Sequence, residues 1–570
     1  MSEMPSASGP AEAATHRSAA GDPTAIGRRP RRVPPWFVWA PAALLLLAIV
    51  LLRGFADVDP AARNIATFVL AFVASLTLLV WFVLRSAYAA RLRYGTLAVI
   101  VVGVAAAAAA MRIEEFDGSL APILHWRWLP SADRLLPPAR AAASEPPADL
   151  ATTTDHDFPQ FLGPHRDATI ADVELARDWQ AHPPELVWRQ PIGAGWSAFA
   201  LVGPYAVTLE QRGPDELITC YKIATGELVW AQSTATRHES TLGGIGPRST
   251  PTIYEGKVYA QGATGRLHCL EGATGRVVWE KDLLGEFGVA SPAADMDCIA
   301  WGRAGSPLVV GDLVVVPAGG PTGGPFVSLV AYDRESGREA WRGGQTQIGY
   351  ASPSLFTIDG VPTIVIVNES NVTGHDPKTG AVLWEEAWPG SSTTSANNSQ
   401  AVALDDHRIF LSKGYGAGAK LFEVAADADS EPRDWQTRDL WSQPGKMQTK
   451  FTNVVRHDGS IFGLSDVILE CIDQETGARR WKKGRYGYGQ ILLVGDAILV
   501  LSETGELALV AADPKQFTEL AKIQALEGKT WNNLAFSTPY LLIRNGQEAA
   551  CYRLPLAGQS AAGDRTAESP

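Results

Sequence analysis

An eleven-residue segment that recurs along the chain is the feature that most constrains the fold. Each of five copies has a small residue first, glycine seventh and tryptophan eleventh. Recurrence of this kind is typical of a repeat architecture, in which every copy belongs to one supersecondary unit. The copies read CYKIATGELVW, CLEGATGRVVW, AYDRESGREAW, GHDPKTGAVLW and CIDQETGARRW, and they end at Trp230, Trp279, Trp341, Trp384 and Trp481.

The stretch at residues 262–282, GATGRLHCLEGATGRVVWEKD, indicates what that unit is. The pentapeptide GATGR occurs in it twice, on either side of LHCLE. Glycine supplies the positive φ that tight turns require. We therefore interpret the first copy as the turn between strands two and three, and the second as the turn between strands three and four. Short Val, Ile and Tyr runs precede it, as in STPTIYEGKVYAQ, so the unit is predicted to be four antiparallel strands.

Counting these units predicts an all-β, eight-bladed β-propeller over residues 158–556, with four strands in each blade. Looser copies end at Trp441 and near Ala521, which makes seven units. The C-terminal NNLAFSTPYLLIRNGQEAACYRL supplies three more strands, and PPELVW, ending at Trp188, supplies only a fourth. Joining the two ends completes an eighth blade and removes the exposed sheet edges. Seven blades is the alternative, if the weak fifth or seventh unit is a loop. The predicted structural tryptophans are Trp188, Trp230, Trp279, Trp341, Trp384, Trp441 and Trp481.

Four of the five cysteines occupy the first position of the repeat, at Cys220, Cys269, Cys471 and Cys551. Other copies have alanine or glycine there. Because buried cysteine behaves as a small hydrophobic residue, we interpret this position as one that leaves room for the tryptophan of a neighbouring blade. The fifth, Cys298, lies in an insertion and has no place in the pattern.

Three uncharged apolar runs precede the repeats, at residues 36–52, 65–84 and 95–111. Each is about long enough to span a bilayer, which takes roughly 17–25 apolar residues. We predict three transmembrane helices within residues 36–111, rather than buried core helices or a cleaved signal peptide. Arginines precede the first run (RRPRR) and separate the second from the third (RSAYAARLR). The positive-inside rule then predicts a cytoplasmic N-terminus and a periplasmic propeller, held to a bacterial inner membrane.

The remaining segments are predicted to be tails and a connection. Residues 1–35 are rich in Ala, Ser, Pro and Gly and are interpreted as a disordered cytoplasmic tail. Residues 112–157 are interpreted as a juxtamembrane segment, with Trp126 and Trp128 at the membrane interface, followed by a Pro-rich linker. Residues 557–570 are interpreted as a second disordered tail.

Composition and motifs exclude several classes of function. The net charge of −12 lacks the basic footprint that phosphate contacts need, so nucleic acid is not an expected partner. CxxC, HExxH, Walker and GxSxG motifs are absent from the sequence, so it predicts neither a metal site nor a catalytic residue. The expected partners are the membrane and other envelope proteins.

The AxDxxTGxxxW pattern resembles the PQQ-type, or quinoprotein, β-propeller repeat. FPQFLGPHRD, at residues 158–167, also resembles membrane-anchored bacterial proteins of this type. The resemblance points both to a non-catalytic outer-membrane assembly lipoprotein and to quinoprotein dehydrogenases, which use PQQ with Ca²⁺ in the channel. This chain departs from the first in having no lipobox cysteine, and from soluble alcohol dehydrogenases in having no adjacent cysteines. No calcium-ligand set is carried over, so PQQ with Ca²⁺ stays an open alternative.

A propeller of this kind has its first strands around a central channel, and the start of each first strand faces one mouth. Aromatic, Arg and amide side chains gather at these predicted starts. Such a ring suits a planar carboxylate such as PQQ, although a water-filled channel is also polar. We expect an interaction or ligand-binding platform, with a PQQ-dependent alcohol or sugar dehydrogenase that reduces membrane quinone as the alternative. The candidate binding residues are Trp196, Arg248, Trp301, Arg303, Tyr350, Asn453, Gln490, Trp531 and Asn532.

Overall fold

The computed structural model describes residues 32–54, 60–139, 147–427, 430 and 433–558. Most of the predicted N-terminal tail and nearly all of the predicted C-terminal tail lie outside these residues. The chain divides into two compact units. One comprises Met1–Ala56 and Ala66–Ala106, and the other comprises Asp57–Ile65 and Ala107–Pro570.

Long apolar helices correspond to the three runs of the sequence. They are α1 (Trp36–Gly54), α2 (Pro60–Arg85) and α3 (Ala90–Ala110). Within the described residues, these three are long and apolar enough to cross a membrane. Their side chains are largely unburied in the protein, as expected for helices whose apolar surface is covered by lipid.

A hairpin, a 3₁₀ turn and two further strands lie between α3 and the first strand of blade one. Strand β1 (Met111–Phe116) follows α3 directly and pairs with β2 (Pro122–Trp126) in a separate two-stranded sheet. A 3₁₀ turn at Ala132–Arg134 follows, and then β3 (Thr169–Ile170) and β4 (Glu185–Pro191). The region 112–157 therefore contains regular structure as well as connecting chain.

Eight blades form the propeller in the described part of the chain, each built from four antiparallel strands. Blade one comprises β5–β8, at Ala200–Val202, Tyr205–Arg212, Asp215–Lys222 and Leu228–Thr234. The short strands β9 (Glu239–Ser240) and β10 (Gly244–Ile245) follow it. Blade two comprises β11–β14, at Thr252–Tyr254, Lys257–Gln261, Arg266–Glu271 and Val277–Asp282. An insertion with α4 (Leu283–Glu286) and α5 (Pro292–Met296) leads to blade three, β15–β18, at Leu308–Val310, Leu313–Gly319, Val327–Asp333 and Glu339–Gly343.

The other blades repeat the same order of strands. Blade four is β19–β22, at Ser354–Ile358, Val361–Val367, Asn371–His375 and Val382–Ala387. Blade five is β23–β26, at Val402–Ala403, Arg408–Lys413, Gly418–Asp427 and Asp434–Gln443. Blade six is β27–β30, at Val454–His457, Ser460–Ser465, Ile468–Asp473 and Arg479–Arg485. Blade seven is β31–β34, at Gln490–Val494, Ala497–Leu501, Glu506–Ala511 and Glu519–Gln524, with β3 added parallel to β31.

Closure of the ring joins the two ends of the propeller sequence, as predicted. Strands β35 (Ala535–Ser537), β36 (Tyr540–Arg544) and β37 (Glu548–Arg553) take β4 as the fourth strand of blade eight. Cys551 lies directly opposite Trp188 in this pairing. The weak fifth and seventh units are complete blades, so the seven-blade alternative is wrong.

Apolar layers between neighbouring blades form the core. Side chains alternate along a strand, so Val258 and Ala260 of blade two pack toward blade one, with Val207 among their neighbours. Tyr259 belongs to the layer shared with blade three, which contains Tyr332. Each blade thus contributes one face to each of two layers.

The repeat tryptophans link each blade to the next. In six of the described blades the indole Nε1–H donates to a carbonyl in the turn between strands three and four of the following blade. Trp230, for example, donates to Gly272 at 2.8 Å. Trp384 is the exception, since its Nε1 has no partner among the described residues. The acceptors are Ile223, Gly272, Arg334, Pro377, Gln474 and Asp513.

Two positions of the repeat hold small residues that make room for these rings. The prediction that the first position accommodates the ring of a neighbouring blade is wrong. The first position lies opposite the tryptophan of its own blade, as Cys269 lies opposite Trp279. A Cβ on Gly374 would lie 2.2 Å from the ring of Trp384 in the same blade. The neighbouring blade's ring instead covers the turn glycine at position seven, where a Cβ on Gly275 would lie 2.5 Å from Trp230.

Candidate functional site

One end of the central channel is closed by the segment that carries FPQFLGPHRD. Its backbone and the side chain of Arg166 exchange hydrogen bonds with the inner edges of blades one, two, three, five and seven. A segment with partners on blades around the ring must cross the channel, so it forms a floor. The partners are Leu201, Ile253, Pro307, Gln400 and Leu493.

The tip of the β1–β2 hairpin covers the other end. Asp117, Gly118 and Leu120 line the cavity beneath it. The Gly118 N–H donates to Glu503 Oε1 at 2.8 Å, and a Cβ at Gly118 would lie 1.9 Å from the ring of Tyr488. Only glycine fits this approach without displacing the aromatic ring, so the hairpin tip forms a closely fitted roof.

Lys529 holds the hairpin against the propeller. Its ammonium group donates to the Glu115 carboxylate and, at 3.0 Å, to the carbonyl of Phe116. It also lies 4.2 Å from the ring centroid of Trp531 and 4.8 Å from that of Trp196. Burial lowers the pKa of Lys529, and the charge of Glu115 opposes that shift. A buried cation between two indoles and a carboxylate is a strong local contact.

Between floor and roof lies a cavity of about 240 Å³ whose wall is a belt of aromatic rings. Trp301 stacks on Tyr350 with centroids 5.0 Å apart and planes at 19°. Phe451 continues the belt, 4.8 Å from Trp531 and 6.1 Å from Trp301. The aromatic lining residues are Phe161, Trp196, Trp301, Tyr350, Tyr415, Phe451 and Trp531. We call this cavity the mouth chamber.

Two cations and one carboxylate lie in the same lining. The Arg248 guanidinium donates to the carbonyls of Gly243 at 2.6 Å and Gly244 at 3.1 Å, and burial lowers the pKa of Arg248 to about 10. Lys450 Nζ donates to the hydroxyl of Tyr488 at 3.3 Å. Asp117 Oδ1 already accepts the N–H groups of its own turn. The chamber therefore favours an anion over a cation.

Six of the nine predicted binding residues line the chamber. They come from the segments that precede the first strands of different blades, with Trp301 in the insertion before blade three, and only the closed ring brings them together. The six are Trp196, Arg248, Trp301, Tyr350, Asn453 and Trp531.

The other three predicted residues are bonded within the wall and do not line the chamber. Arg303 is fully buried and makes a two-point contact with Asp295, at 3.0 and 2.9 Å. Gln490 donates to carbonyls of the two blades that flank it. Asn532 donates to Gly195 and Ser197 of blade one, at 3.0 and 2.8 Å.

Several lining residues were missed by sequence reasoning. Lys450 and Phe451 lie three and two residues before the predicted Asn453, so a slightly longer window at this strand would have included them. The hairpin tip and Phe161 lie outside the repeats, and no periodicity relates them to the mouth.

Among the described residues, no three His, Cys, Asp or Glu side chains gather in a group that could hold a metal ion. Oδ1 of Asp117 accepts two N–H groups of its own turn. With one carboxylate and two cations in its lining, the chamber suits a planar anion better than calcium, which takes six to eight oxygen ligands.

Comparison with known proteins shows that a family model described as outer membrane protein assembly factor BamB matches residues 214–483. A curated relative, quinohemoprotein alcohol dehydrogenase ADH-IIG of Pseudomonas putida, is 29% identical over 133 residues. That alignment covers 23% of this chain and only 17% of the relative's length.

Solved structures that resemble the chain are propellers of the same kinds. Quinohemoprotein alcohol dehydrogenase ADHIIG of Pseudomonas putida HK5 is 13% identical with a TM-score of 0.51, covering 74% of this chain and 85% of its own. The Comamonas testosteroni enzyme is 12% identical with a TM-score of 0.50, covering 73% and 84%. BamB from Moraxella catarrhalis is 16% identical with a TM-score of 0.45, covering 65% and 99%. The resemblance drawn from the repeats is confirmed.

Proposed function

We propose that this chain, whose eight-bladed propeller is of the PQQ-like type, is a membrane-anchored binding platform that holds a small planar anion in the mouth chamber. The observation that carries the proposal is the chamber itself, a cavity of about 240 Å³ with aromatic walls, a floor and a roof. Concave, mostly apolar cavities with a few convergent polar groups are the usual form of small-ligand sites.

The lining favours a planar ligand because its rings are arranged for stacking. Trp301 and Tyr350 are nearly parallel, and offset stacking on such faces contributes roughly 0.5–1.5 kcal/mol per aromatic pair. Arg248 lies in the same wall and is held in place by backbone carbonyls. A carboxylate placed against it gains a charge-assisted hydrogen bond with little ordering cost.

PQQ, a planar tricarboxylate, is the natural probe for this chamber. Arg248 and Lys450 would hold its carboxylates, and the aromatic belt would hold its ring system. When bound to an enzyme, PQQ supplies two-electron oxidation chemistry. The chamber lining offers one carboxylate, Asp117, to the calcium ion that accompanies PQQ in quinoprotein dehydrogenases, so we expect PQQ to bind here without a metal.

A fluorescence titration tests the proposal. PQQ added to the purified full chain should quench tryptophan emission equally in Ca²⁺ and in EDTA, because no step of binding uses a metal. Trp301→Leu should weaken the quenching. Its matched control is Trp435→Leu, which removes a half-buried tryptophan that packs beside Trp384 and Phe422 in the core between blades four and five. Equal binding by both variants, or no binding by the wild type, would refute the chamber as the site.

A PQQ-dependent dehydrogenase is the second candidate, and the partial match to ADH-IIG favours it. Dye reduction by alcohols or sugars after addition of PQQ and Ca²⁺ would establish it against the binding platform. The match to the BamB model supports an additional docking role for envelope proteins.

The proposed location is a bacterial inner membrane, with the N-terminus in the cytoplasm and the propeller in the periplasm. The arginines around the apolar runs support this orientation. Alkaline phosphatase is active only outside the cytoplasm. Its fusion after Thr152 should be active and its fusion after Arg93 inactive, and the reverse result would overturn the orientation.

A further inference from the structure

The outward face of the β1–β2 hairpin is strongly apolar and exposed. Ile113 lies opposite Leu124 in the register, and Met111 lies opposite Trp126. The exposed fractions are 49% for Ile113, 50% for Leu124 and 45% for Trp126. The intervening side chains Glu114 and His125 point the other way, into a small cavity shared with the propeller. The hairpin thus has one polar face toward the protein and one apolar face toward its surroundings.

The chain beyond β2 extends this apolar face. Trp128 is 65% exposed and stacks on Trp126 with centroids 5.0 Å apart. Leu129 and Leu135 follow, 46% and 69% exposed. Ile113, Leu124, Trp126 and Trp128 are neighbours in the register or by ring stacking, and apolar side chains exposed together in this way mark an interaction site. We call these four residues the hairpin patch.

The hairpin is fixed to the end of a candidate membrane span. Strand β1 begins at Met111, directly after α3 ends at Ala110. The Arg127 N–H donates to the carbonyl of Ala110 at 2.9 Å, and Arg127 Nε donates to those of Ala108 at 3.0 Å and Met111 at 2.9 Å. The bonds to Ala108 and Ala110 satisfy carbonyls that the last turn of a helix leaves without partners. The hairpin patch therefore starts where a membrane-spanning helix leaves the hydrocarbon.

From this continuity we infer that the hairpin patch lies in the headgroup region of the lipid bilayer. Its composition fits that environment, because tryptophans concentrate at membrane–water interfaces and Arg side chains reach from apolar surface to phosphate. The exposed Arg134 lies beside Leu135 and supplies such a group. A bilayer surface, rather than a second copy or an envelope protein, is the partner that the helix end already brings to the patch.

Lipid contact at the patch has a consequence for the other face of the hairpin. The tip of the same hairpin roofs the mouth chamber through Gly118 and Glu503. A hairpin held on one side by lipid and on the other by Lys529 is immobilised from both faces. This consequence rests on the proposed function, whereas the lipid contact itself does not.

A site-specific fluorophore tests the inference in the full chain reconstituted into lipid nanodiscs. Cys298→Ser removes the one cysteine that is not buried, and NBD is attached at Leu124→Cys. The matched control carries NBD at Val382→Cys, on the outer strand of blade four, where Val382 is 42% exposed. We expect blue-shifted emission and quenching by headgroup-proximal nitroxide lipid at position 124, with little quenching by iodide. Position 382 should show the reverse.

Two outcomes would overturn the inference. One is NBD at position 124 that iodide quenches and nitroxide lipid does not, as at position 382. The other is shielding at position 124 that persists in detergent and grows with protein concentration, which would assign the patch to a second copy. Trp126→Ser combined with Trp128→Ser provides a further test, because loss of the aromatic pair should increase the quenching of NBD at position 124 by iodide. The phosphatase fusions and the PQQ titration read other properties, so failure here leaves the proposed function separately testable.

Discussion

Replacement of Gly275 by alanine tests the packing that unites the blades. Gly275 belongs to the second GATGR, has φ +72°, and lies beneath Trp230 of the preceding blade. A Cβ there would lie 2.5 Å from Trp230 Cε3. The matched control is Gly360, which has φ +73° and no atom within 4 Å of its would-be Cβ. Both substitutions incur the same conformational cost, and only Gly275→Ala also meets the indole.

The two terms can be estimated separately. Placing alanine in the left-handed region costs roughly 1–2 kcal/mol, which is the whole expected effect of Gly360→Ala. Overpacking a filled core costs roughly 1–3 kcal/mol more. Trp230 cannot withdraw freely, because its Nε1–H donates to Gly272 at 2.8 Å. Gly275→Ala should therefore lower the free energy of unfolding by about 2–5 kcal/mol.

Urea unfolding of the full chain, followed by circular dichroism, measures the difference, provided that the denaturant slopes agree. A double-mutant cycle isolates the contact, because in a Trp230→Ala background Gly275→Ala should cost no more than Gly360→Ala. Equal losses for the two glycine variants in the wild-type background would refute the packing. So would an excess cost of Gly275→Ala that survives removal of the indole.

Three further predictions concern stability and closure. Trp279→Ala should lower the free energy of unfolding by roughly 3–5 kcal/mol, because the ring lies between Tyr259 and Tyr332; unchanged thermal stability would contradict it. Cysteines replacing Glu185 and Arg553, which lie opposite each other in blade eight, should crosslink under mild oxidation in a background lacking the native cysteines; if only a pair placed within blade two crosslinks, the termini do not share a blade. Burial raises the pKa of Glu216 to about 7, so the stability that this group contributes is complete below its unfolded pKa near 4.5 and is lost as pH rises through about 7. Glu216→Gln should therefore make the free energy of unfolding less dependent on pH between pH 5 and 8. An unaltered pH profile would contradict this prediction.

The number of blades could be predicted because the same residues recur at the same spacing in successive blades. A tryptophan that reaches the next blade and a glycine that lies under a ring recur at fixed offsets, and Trp188 lies over Gly226 of blade one in this way. Trp188 also lies opposite Cys551, the first position of the repeat in blade eight. The small first position was predicted to accommodate the ring of a neighbouring blade. That prediction was wrong, because the strand register places this position opposite the tryptophan of its own blade. Trp279 lies across from Cys269 in the same blade, and a repeat alignment alone does not distinguish own from neighbouring contacts.

The site was predictable only where the repeats determine it. Trp196 and Trp531 each lie four residues before the first strand of a blade, so the ring geometry brings them to one mouth. The floor and the roof come from chain outside the repeats, and their positions depend on single contacts such as Gly118 against Tyr488. Neither composition nor spacing encodes a contact between residues that are hundreds of positions apart, and a Pro-rich connection does not show that a hairpin precedes it.

A density map of the full chain in lipid nanodiscs, prepared with PQQ in the presence of EDTA, tests the mouth chamber most directly. The account predicts a planar density inside the chamber, stacked against Trp301 and Tyr350, with a carboxylate facing Arg248. A chamber without ligand density at saturating PQQ would contradict it, as would PQQ density elsewhere on the propeller.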